Sequence, residues 1–356
     1  MTDQQAGMTP AGPAAPLLGV KDMTVTFPVG SRLAARISHT QRLLRAVDGV
    51  DLELAKGEAL ALVGESGSGK STFALALAGL RPTDEGQVTF DGKVLPSHRS
   101  RADQRRIQMV FQDPYSSLNP RLTVGSMLRE LLKVHHIVPG SEMDAYCRDL
   151  LTRVGLAEDA MKAFPRQFSG GQRQRVAIAR ALVLKPDVLV ADEPVSALDV
   201  SVQATILNLL ADLRRELGLT LLLISHNLAV VRHLCDRVAV MYLGRIVEVA
   251  PTAELFSNPK HPYTKGLLAA IPRLTADPAQ EASGGPAVVG DPPSALRIPV
   301  GCRFRTRCPI AQERCEQEDP LLMAEPGNAG HQAACHFAFS EDYAAATSPT
   351  GHGGGD

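Results

Sequence analysis

The sequence predicts an α/β protein whose mostly parallel β-sheet is covered by helices on both faces. Short apolar segments that suit buried strands alternate along the chain with longer segments of helical periodicity, and this alternation is typical of a parallel sheet. A glycine-rich stretch joins the strand predicted at 59–63 to the helix predicted at 71–80. A second apolar strand, at 188–191, is followed directly by two carboxylates. Together these three observations predict the fold class.

The individual elements follow from local patterning. Alternating apolar and polar residues predict strands at 20–27 and 46–54, and short apolar runs predict strands at 59–63, 107–111, 188–191 and 220–224. Another strand is expected at 87–90, between turn-forming residues. Helical periodicity predicts helices at 71–80, 98–106, 172–184 and 202–217, and a helical region interrupted by prolines from 113 to 167. The pattern weakens after Gly244, and residues 275–300 are rich in Pro, Ala and Gly.

The composition describes a nearly neutral protein. The chain has 356 residues, of which 44 % are hydrophobic, enough for about two domains with buried cores. Lysine and arginine number 37 against 38 acidic residues, so the formal net charge is −1. A general nucleic-acid binder shows a strong basic excess, and 4 % aromatic residues with no tryptophan argue against stacking platforms for single strands. We therefore expect no direct nucleic-acid partner.

Composition also bears on the chain ends and on membrane spans. No apolar run reaches the 18 residues that suggest a membrane span. Residues 1–17 lack the basic start and apolar centre of a secretory signal, so we expect a disordered leader on a cytoplasmic protein. A disordered, low-complexity tail is expected at 341–356. The basic segment at 28–45 is interpreted as a solvated hairpin or loop, and its role stays open.

The glycine-rich stretch is the first candidate site. Residues 64–71 fit G-x-x-x-x-G-K-[ST] in full, after a strand and at the start of a helix, which is the context this phosphate-binding motif requires. Glycines let backbone N–H groups curl around phosphate oxygens, and the helix N-terminus adds positive potential. Lys70 is expected to reach the β- and γ-phosphates, and Ser71 to hold Mg²⁺. The candidate nucleotide-binding residues here are Gly64, Ser66, Gly67, Gly69, Lys70, Ser71 and Thr72.

The two carboxylates after the strand at 188–191 complete the hydrolytic chemistry. Asp192 is placed to bind Mg²⁺ through water, and Glu193 to orient or deprotonate the attacking water, because phosphoryl transfer needs a positioned nucleophile more than covalent chemistry. Acidic pairs at strand ends are also common on solvated surfaces. The combination with the glycine-rich loop is what favours the functional interpretation.

A second anion cradle precedes the helix predicted at 172–184. Ser169, Gly170, Gly171 and Gln172 offer a hydroxyl and bare amides to an anion, although a simple N-cap with a flexible turn fits them too. One subunit does not need two phosphate cradles for one nucleotide. We therefore expect the second cradle to serve a nucleotide held by a partner subunit.

With these motifs in this order, the chain resembles the ATP-binding subunit of an ABC transporter, a P-loop NTPase. The resemblance covers about 18–250 and implies an antiparallel β subdomain and a helical subdomain at about 113–170. It also implies that Gln112 is the Q-loop residue and a Mg²⁺ ligand, and that His226 is the switch histidine. With Glu193 these two form the expected catalytic set. Phe27 corresponds to the adenine-stacking aromatic, and 196–199 to the D-loop; the signature begins Phe168-Ser169 where Leu-Ser is usual.

Segments at 112–120, 241–248 and 258–272 resemble the oligopeptide and dipeptide importer subfamily, closest to its second ATPase, often lettered F. This implies a C-terminal extension at 251–340, a second ATPase subunit, two membrane permease subunits and an extracytoplasmic solute-binding protein. It also implies a peripheral position on the cytoplasmic face of the inner membrane. Relatives import nickel chelates or glutathione, so the solute stays open. A soluble ABC ATPase acting on nucleic acid or ribosomes is the alternative from another class.

Four cysteines crowd the C-terminal extension: Cys302, Cys308, Cys315 and Cys335. In a reducing compartment such clustering suggests metal or cluster ligation more than disulfides, and the spacing lacks the C-x2-C pairs usual for zinc. Four thiolates on an irregular loop suit a [4Fe–4S] cluster, and the subfamily carries such an extension. Zinc and unliganded thiols are the alternatives.

The surroundings of these cysteines complete the expectation. The nearby Arg303, Arg305 and Arg307 are expected to offset thiolate charge, while His331 and His336 are interpreted as bystanders. No cysteine lies in an ATP-site motif, so we expect the ATP site to bind nucleotide whether the cysteines hold a cluster, zinc or no metal.

Overall fold

The computed structural model describes residues 16–29, 42–196, 198–270, 290–291 and 293–340. The tail expected at 341–356, residues 1–15 of the expected leader and most of the basic segment at 28–45 lie outside the described residues. Leu17, at the end of the expected leader, is buried beside the first strand. Within the described ranges, every helix is too short or too polar to cross a lipid bilayer.

Strands and helices alternate along most of the described chain. In chain order the strands are β1 (Leu18–Val29), β2 (Arg42–Leu54), β3 (Ala59–Val63), β4 (Glu85–Phe90), β5 (Lys93–Val94), β6 (Ile107–Val110), β7 (Val188–Asp192), β8 (Thr220–Ile224), β9 (Arg237–Tyr242), β10 (Arg245–Pro251), β11 (Met323–Glu325) and β12 (Asn328–Ala333). The helices are α1 (Lys70–Leu77), α2 (Arg101–Arg106), α3 (Pro114–Ser117), α4 (Val124–His135), α5 (Met143–Arg153), α6 (Gly170–Leu182), α7 (Val200–Leu217), α8 (Leu228–Leu234), α9 (Thr252–Ser257), α10 (Pro262–Ala269) and α11 (Arg314–Gln317).

The described strands form two sheets. The larger has the order β11-β12-β10-β9-β3-β8-β7-β6, and its five strands from β9 to β6 pair in parallel. The smaller has the order β2-β1-β4-β5 and is antiparallel throughout. The predicted α/β class, with a mostly parallel sheet and an antiparallel β subdomain, is confirmed.

Both faces of the larger sheet are covered, as the alternation of strands and helices predicts. Along β3, Leu60 and Leu62 pack into one apolar core while Ala59, Ala61 and Val63 pack into the other. This division follows from the two-residue period of a strand. A strand buried on both faces reads as a continuous apolar run, which is why β3, β7 and β8 were recognisable in the sequence.

Helix starts differ from the predicted ones because of local caps. The helix expected from 98 begins at Arg101, since Ser100 and Asp103 form a capping box. The helix expected from 172 begins at Gly170 for the same reason, with Ser169 and Gln172 as the box. In the region expected to be helical, α4 and α5 pack around Leu128, Leu132 and Leu151.

The C-terminal extension continues the larger sheet. β12 pairs with β10, joining Glu248 to Ala333 and Val249 to Gln332, and β11 adds the outer strand. The strands β9 to β12 were not predicted. β11 and β12 are short and carry exposed residues, whereas β9 and β10 were missed although both are mostly buried. The extension expected at 251–340 is therefore structurally joined to the sheet that carries the phosphate loop.

Candidate nucleotide site

The glycine-rich loop between β3 and α1 has a backbone that only glycine fits at two points. Gly64 and Gly69 have φ of 153° and 108°, outside the range that L side chains normally adopt. A Cβ on Gly64 would overlap the main-chain oxygen of Met241, and one on Gly69 would overlap that of Ala46. The loop is thus wedged between β9 and β2, with its amides at the start of α1.

Lys70 folds back over this loop. Its ammonium donates hydrogen bonds to the main-chain oxygens of Gly64 (2.9 Å) and Glu65 (2.8 Å), and to Ser68 Oγ (3.4 Å). Burial lowers the pKa of Lys70, while the nearby Glu193 and Asp192 oppose this change. The side chain is 6 % exposed, so it presents a desolvated positive charge to an anion in the loop.

Ser71 and Asp192 bring two oxygen ligands together. Ser71 Oγ donates a hydrogen bond of 3.1 Å to Asp192 Oδ1, at the end of β7. Burial raises the pKa of Asp192, and the Ser71 hydroxyl lowers it. A hydroxyl beside a carboxylate is the oxygen donor set that Mg²⁺ takes next to phosphates, so these residues fit the expected metal.

Glu193 lies between Gln112 and His226. Gln112 Nε2 donates to Glu193 Oε2 at 3.0 Å, and His226 Nδ1 lies 3.2 Å from Glu193 Oε1. The three residues follow β6, β7 and β8, whose carboxyl ends meet at one edge of the sheet. Glu193 has a φ of 44°, and its N–H donates to Ile224 O at 2.9 Å. Strained backbone of this kind clusters at functional sites.

An open cavity connects these groups with the antiparallel sheet. Phe27 and Leu44, from β1 and β2, line it on one side. The guanidinium carbon of Arg81 lies 4.1 Å from the centre of the Phe27 ring. The predicted residues along the same cavity are Ser66, Gly67, Gly69, Lys70, Ser71, Thr72, Gln112, Glu193 and His226.

The second cradle stands apart from this cavity. The described residues that line the cavity include none from 169–172. Ser169 Oγ accepts from the Gln172 N–H at 3.3 Å, and Gln172 Oε1 accepts from the Ser169 N–H at 3.0 Å. Gly170 and Gly171 open the helix between them. The segment is therefore a capped helix start that lies outside the nucleotide cavity of its own chain.

The four C-terminal cysteines are gathered in one region as free thiols. The Cys302 N–H donates to the Cys315 main-chain oxygen at 2.8 Å. Burial raises the pKa of Cys308 to about 12, and Cys335, Cys302 and Cys315 act in the same direction. In the described part of the chain, no three His, Cys, Asp or Glu side chains lie close enough to hold a metal ion.

The side chains near the cysteines have other partners. His331 Nε2 lies 2.8 Å from Glu248 Oε1, and His336 Nε2 lies 3.0 Å from the Glu318 main-chain oxygen. The expectation that the arginines offset thiolate charge needs correction. Arg303 pairs with Asp48 and Arg307 with Glu65, because these carboxylates lie against the extension and are negatively charged.

Sequence reasoning missed Glu65, Tyr263 and Arg307 as parts of the nucleotide site. Arg307 makes two hydrogen bonds of 2.8 Å to the Glu65 carboxylate, and Tyr263 Oη accepts the Glu65 N–H at 2.8 Å. Glu65 occupies a variable position of the loop motif, and Arg307 lies far away in sequence. The only available signal was the unusual density of arginine at 303–307.

Comparisons with known proteins agree with this geometry. A family model for the ABC transporter matches residues 47–196, and a model for the oligopeptide/dipeptide transporter C-terminal region matches residues 247–315. A probable peptide ABC transporter ATP-binding protein of Sinorhizobium fredii is 47 % identical over 323 residues, covering 90 % of this chain and 89 % of the relative. The oligopeptide transport ATP-binding protein OppF of Escherichia coli is 46 % identical, covering 83 % and 88 %.

Solved structures lead to the same family. The ATP-binding cassette MJ0796, in a dimeric post-hydrolysis state bound to ADP and Pi, has a TM-score of 0.57 at 29 % identity, covering 66 % of this chain and 98 % of that one. CbiO1 of Clostridium perfringens, part of an ABC transporter complex, has a TM-score of 0.57 at 29 % identity, covering 68 % and 91 %. The chain belongs to the ATP-binding proteins of ABC transporters and carries the C-terminal region of the oligopeptide/dipeptide transporters.

Proposed function

We propose that this chain is the ATP-hydrolysing subunit of an importer that takes up oligopeptides or dipeptides. The observation that carries the ATPase part is the contact of Glu193 with both Gln112 and His226 beside the phosphate loop. The peptide part rests on the match of residues 247–315 and on relatives named as peptide-transport ATP-binding proteins. No described cavity needs to hold the peptide, because in such a system its selection belongs to other subunits.

The chain's own residues divide the work of hydrolysis. Loop amides and Lys70 bind the phosphates, and the charge of Lys70 acts strongly because that side chain is largely buried. Ser71, Asp192 and Gln112 would hold Mg²⁺, which when bound neutralises charge on the phosphate oxygens. Glu193 accepts a hydrogen bond from the attacking water and takes up its proton. Gln112 and His226 fix the two oxygens of that carboxylate.

The site is completed by a second ATPase subunit. We propose that residues 169–172 of each subunit contact the nucleotide on the other, because this capped helix start lies outside the cavity of its own chain. The dimeric ADP-bound relative supports this arrangement. The remaining partners are two membrane permease subunits and an extracytoplasmic solute-binding protein, which place this chain peripherally on the cytoplasmic face of the inner membrane.

Two other functions remain as alternatives. An importer of another small solute, such as a nickel chelate or glutathione, shares every ATP-site feature described. A soluble ABC ATPase acting on nucleic acid or ribosomes is disfavoured by the near-neutral charge and by the C-terminal region. Co-purification with two permeases and peptide-stimulated ATP hydrolysis in proteoliposomes would support the proposal. Hydrolysis stimulated by nucleic acid or ribosomes instead would overturn it.

The catalytic assignment is tested by Glu193→Gln in the assembled transporter. We expect MgATP binding to be retained and hydrolysis to fall by about 10³-fold, because the amide is a poor proton acceptor. Glu130→Gln, at a surface position on α4, is the matched control and should hydrolyse ATP at the wild-type rate. Full activity of Glu193→Gln would move the catalytic role to another residue.

We propose further that Cys302, Cys308, Cys315 and Cys335 hold a [4Fe–4S] cluster. The support is the grouping of four cysteines within residues 302–335, three of them inside the matched C-terminal region. Such a cluster would carry electrons or brace the extension. Zinc is the alternative ligand.

The cluster is tested by iron, sulfide and zinc analysis of anaerobically prepared full-length protein. We expect about four iron atoms per chain, lost in Cys308→Ser and retained in the control Cys147→Ala, whose thiol is buried in the helical region. Stoichiometric zinc without iron would replace the cluster by a zinc site. If the protein contains neither iron nor zinc, the thiols are unliganded and the cluster proposal is wrong.

A further inference from the structure

The phosphate loop is held from outside by two side chains of the C-terminal region. Arg307 Nη1 and Nη2 donate hydrogen bonds of 2.8 Å to Oε2 and Oε1 of Glu65. On the main chain of the same residue, the N–H donates to Tyr263 Oη at 2.8 Å. Both the side chain and the backbone of one loop residue are therefore fixed by the extension.

The arginine is rigid enough to act as a support. Its side chain is 6 % exposed, and its guanidinium carbon lies 5.9 Å from the ring centres of both Tyr242 and Phe304. Tyr242, Tyr263 and Phe304 are fully buried and pack on one another, with ring centres 4.6–5.5 Å apart. A bidentate arginine–carboxylate pair fixes direction as well as distance, so this aromatic cluster sets the position of Glu65.

Glu65 in turn lies at the base of the cradle. Its main-chain oxygen accepts hydrogen bonds from Lys70 Nζ at 2.8 Å and from the Ser68 N–H at 3.2 Å. A shift of Glu65 would move the ammonium of Lys70 and the loop amides at once. The affinity of such a cradle depends on how well these donors are preorganised.

The support is connected to the cysteine-bearing turns. Successive turn hydrogen bonds join Arg305 N–H to Cys302 O (3.1 Å), Arg307 N–H to Phe304 O (3.0 Å) and Cys308 N–H to Arg305 O (3.4 Å). Arg307 is thus built into the ordered turn that begins at Cys302 and ends at Cys308. Disorder in that turn would release the guanidinium from Glu65.

We propose that Arg307 is a positioning residue for ATP binding: through Glu65 it preorganises the phosphate loop, so that nucleotide affinity depends on the order of the cysteine-bearing extension. It rests on ATP binding at the loop, which the proposed function requires. Arg307 is not among the described residues that line the nucleotide cavity, so it acts through Glu65.

The test is calorimetric titration of the full-length, anaerobically prepared chain with MgATP in a Glu193→Gln background that prevents turnover. We expect Arg307→Gln to weaken the MgATP Kd about tenfold, equal to about 1.4 kcal/mol. Arg307→Lys should restore part of the affinity, because lysine keeps the charge but not the two-point geometry. Glu65→Gln should match Arg307→Gln, and the double variant should be no weaker than either single variant.

Arg314→Gln is the matched control, since it removes an exposed pair with Glu318 in the same extension, and it should bind MgATP as the parent does. If Arg307 has a purely structural role, Arg307→Gln should lower the unfolding temperature while MgATP still raises that temperature by as much as in the parent. If Arg307 positions the loop, MgATP should raise the unfolding temperature of Arg307→Gln by less. In the assembled transporter, Arg307→Gln with Glu193 restored should raise the KM for ATP about tenfold and change kcat less than about twofold.

Four outcomes separate the possibilities. If Arg307→Gln binds MgATP as tightly as the parent, the positioning role is overturned. The same holds if the effects of Arg307→Gln and Glu65→Gln on the Kd are additive. Neither result affects the proposed function. Equal weakening by Arg314→Gln would also overturn it, since general destabilisation would then explain the loss. A parent that itself binds MgATP no better than Lys70→Ala would overturn the proposed function.

Discussion

His226 Nδ1 lies 3.2 Å from Glu193 Oε1, although 33 residues separate them in the chain and they follow different strands. β7 and β8 run in parallel side by side, with Asp192 opposite Ile224. The residues that follow the two strands therefore meet at the same edge. This contact leaves the other carboxylate oxygen to Gln112, so the position of the Glu193 carboxylate depends on residues that follow three different strands.

We expect His226→Ala to slow ATP hydrolysis by about 10²-fold in the assembled transporter, because Glu193 loses one of the two groups that hold its oxygens. The KM for ATP should change little, since His226 contacts the carboxylate and not the phosphate loop. Steady-state hydrolysis rates measure both effects. His233→Ala, an exposed histidine on α8, should behave as the wild type; an unaltered rate in His226→Ala would remove the histidine from the mechanism.

Lys70→Ala should abolish measurable MgATP binding, because the loop loses the buried ammonium that faces the phosphates. Titration of the full-length chain is the measurement. Lys56→Ala, at the exposed turn before β3, removes the same charge elsewhere and should bind normally. Wild-type affinity and turnover in Lys70→Ala would contradict the assignment of this loop.

The stability of the protein should fall on acidification between about pH 6.5 and pH 4. His261 is buried, and burial lowers its pKa to about 4. Its Nδ1 accepts the Tyr263 N–H at 3.1 Å, so the folded state holds the ring neutral. In the unfolded chain the His261 ring takes up its proton at about pH 6.5. Between these two pH values the unfolded state binds more protons than the folded state. The contribution of His261 to the free energy of unfolding is therefore complete above about pH 6.5 and is lost as the pH falls towards about 4.

The loss attributable to His261 should be about 3 kcal/mol at about pH 4, from the size of the shift. Urea unfolding at a series of pH values measures it, and His261→Asn should flatten the curve over this range. His98→Asn, at an exposed position, should leave the slope unchanged. A wild-type slope in His261→Asn would assign the pH dependence to other groups.

Arg303→Met should destabilise the protein by about 1.5–3 kcal/mol, because the buried carboxylate of Asp48 loses one charged hydrogen-bond partner but keeps Arg45 at 2.8 Å and Arg245 at 3.5 Å. The same change at Arg129, whose pair with Asp144 is exposed, should cost less than about 1 kcal/mol. Denaturant unfolding of the two variants compares them directly. If both variants lose the same unfolding free energy, the Arg303–Asp48 pair stabilises the protein no more than an exposed pair does.

Much of the site was predictable because its chemistry is local. The loop at 64–71 and the carboxylates after β7 each lie within one strand–loop–helix unit, and the capped start of α6 is a motif of four consecutive residues. The buried strands were predictable for the same reason, since a strand covered on both faces must be apolar throughout. The outer strands β11 and β12 are only three and six residues long and mix exposed with buried positions, so they left no such pattern.

By itself, the sequence determined the α/β class, the order of the motifs and most of the residues that line the candidate nucleotide cavity. Only the tertiary structure decided what supports that site. Arg307 and Glu65 are 242 positions apart, and Arg303 and Asp48 are 255 apart. Periodicity and motif spacing relate residues that are close in the sequence. Pairs this distant form because β12 pairs with β10 and the aromatic cluster packs the extension beside the phosphate loop.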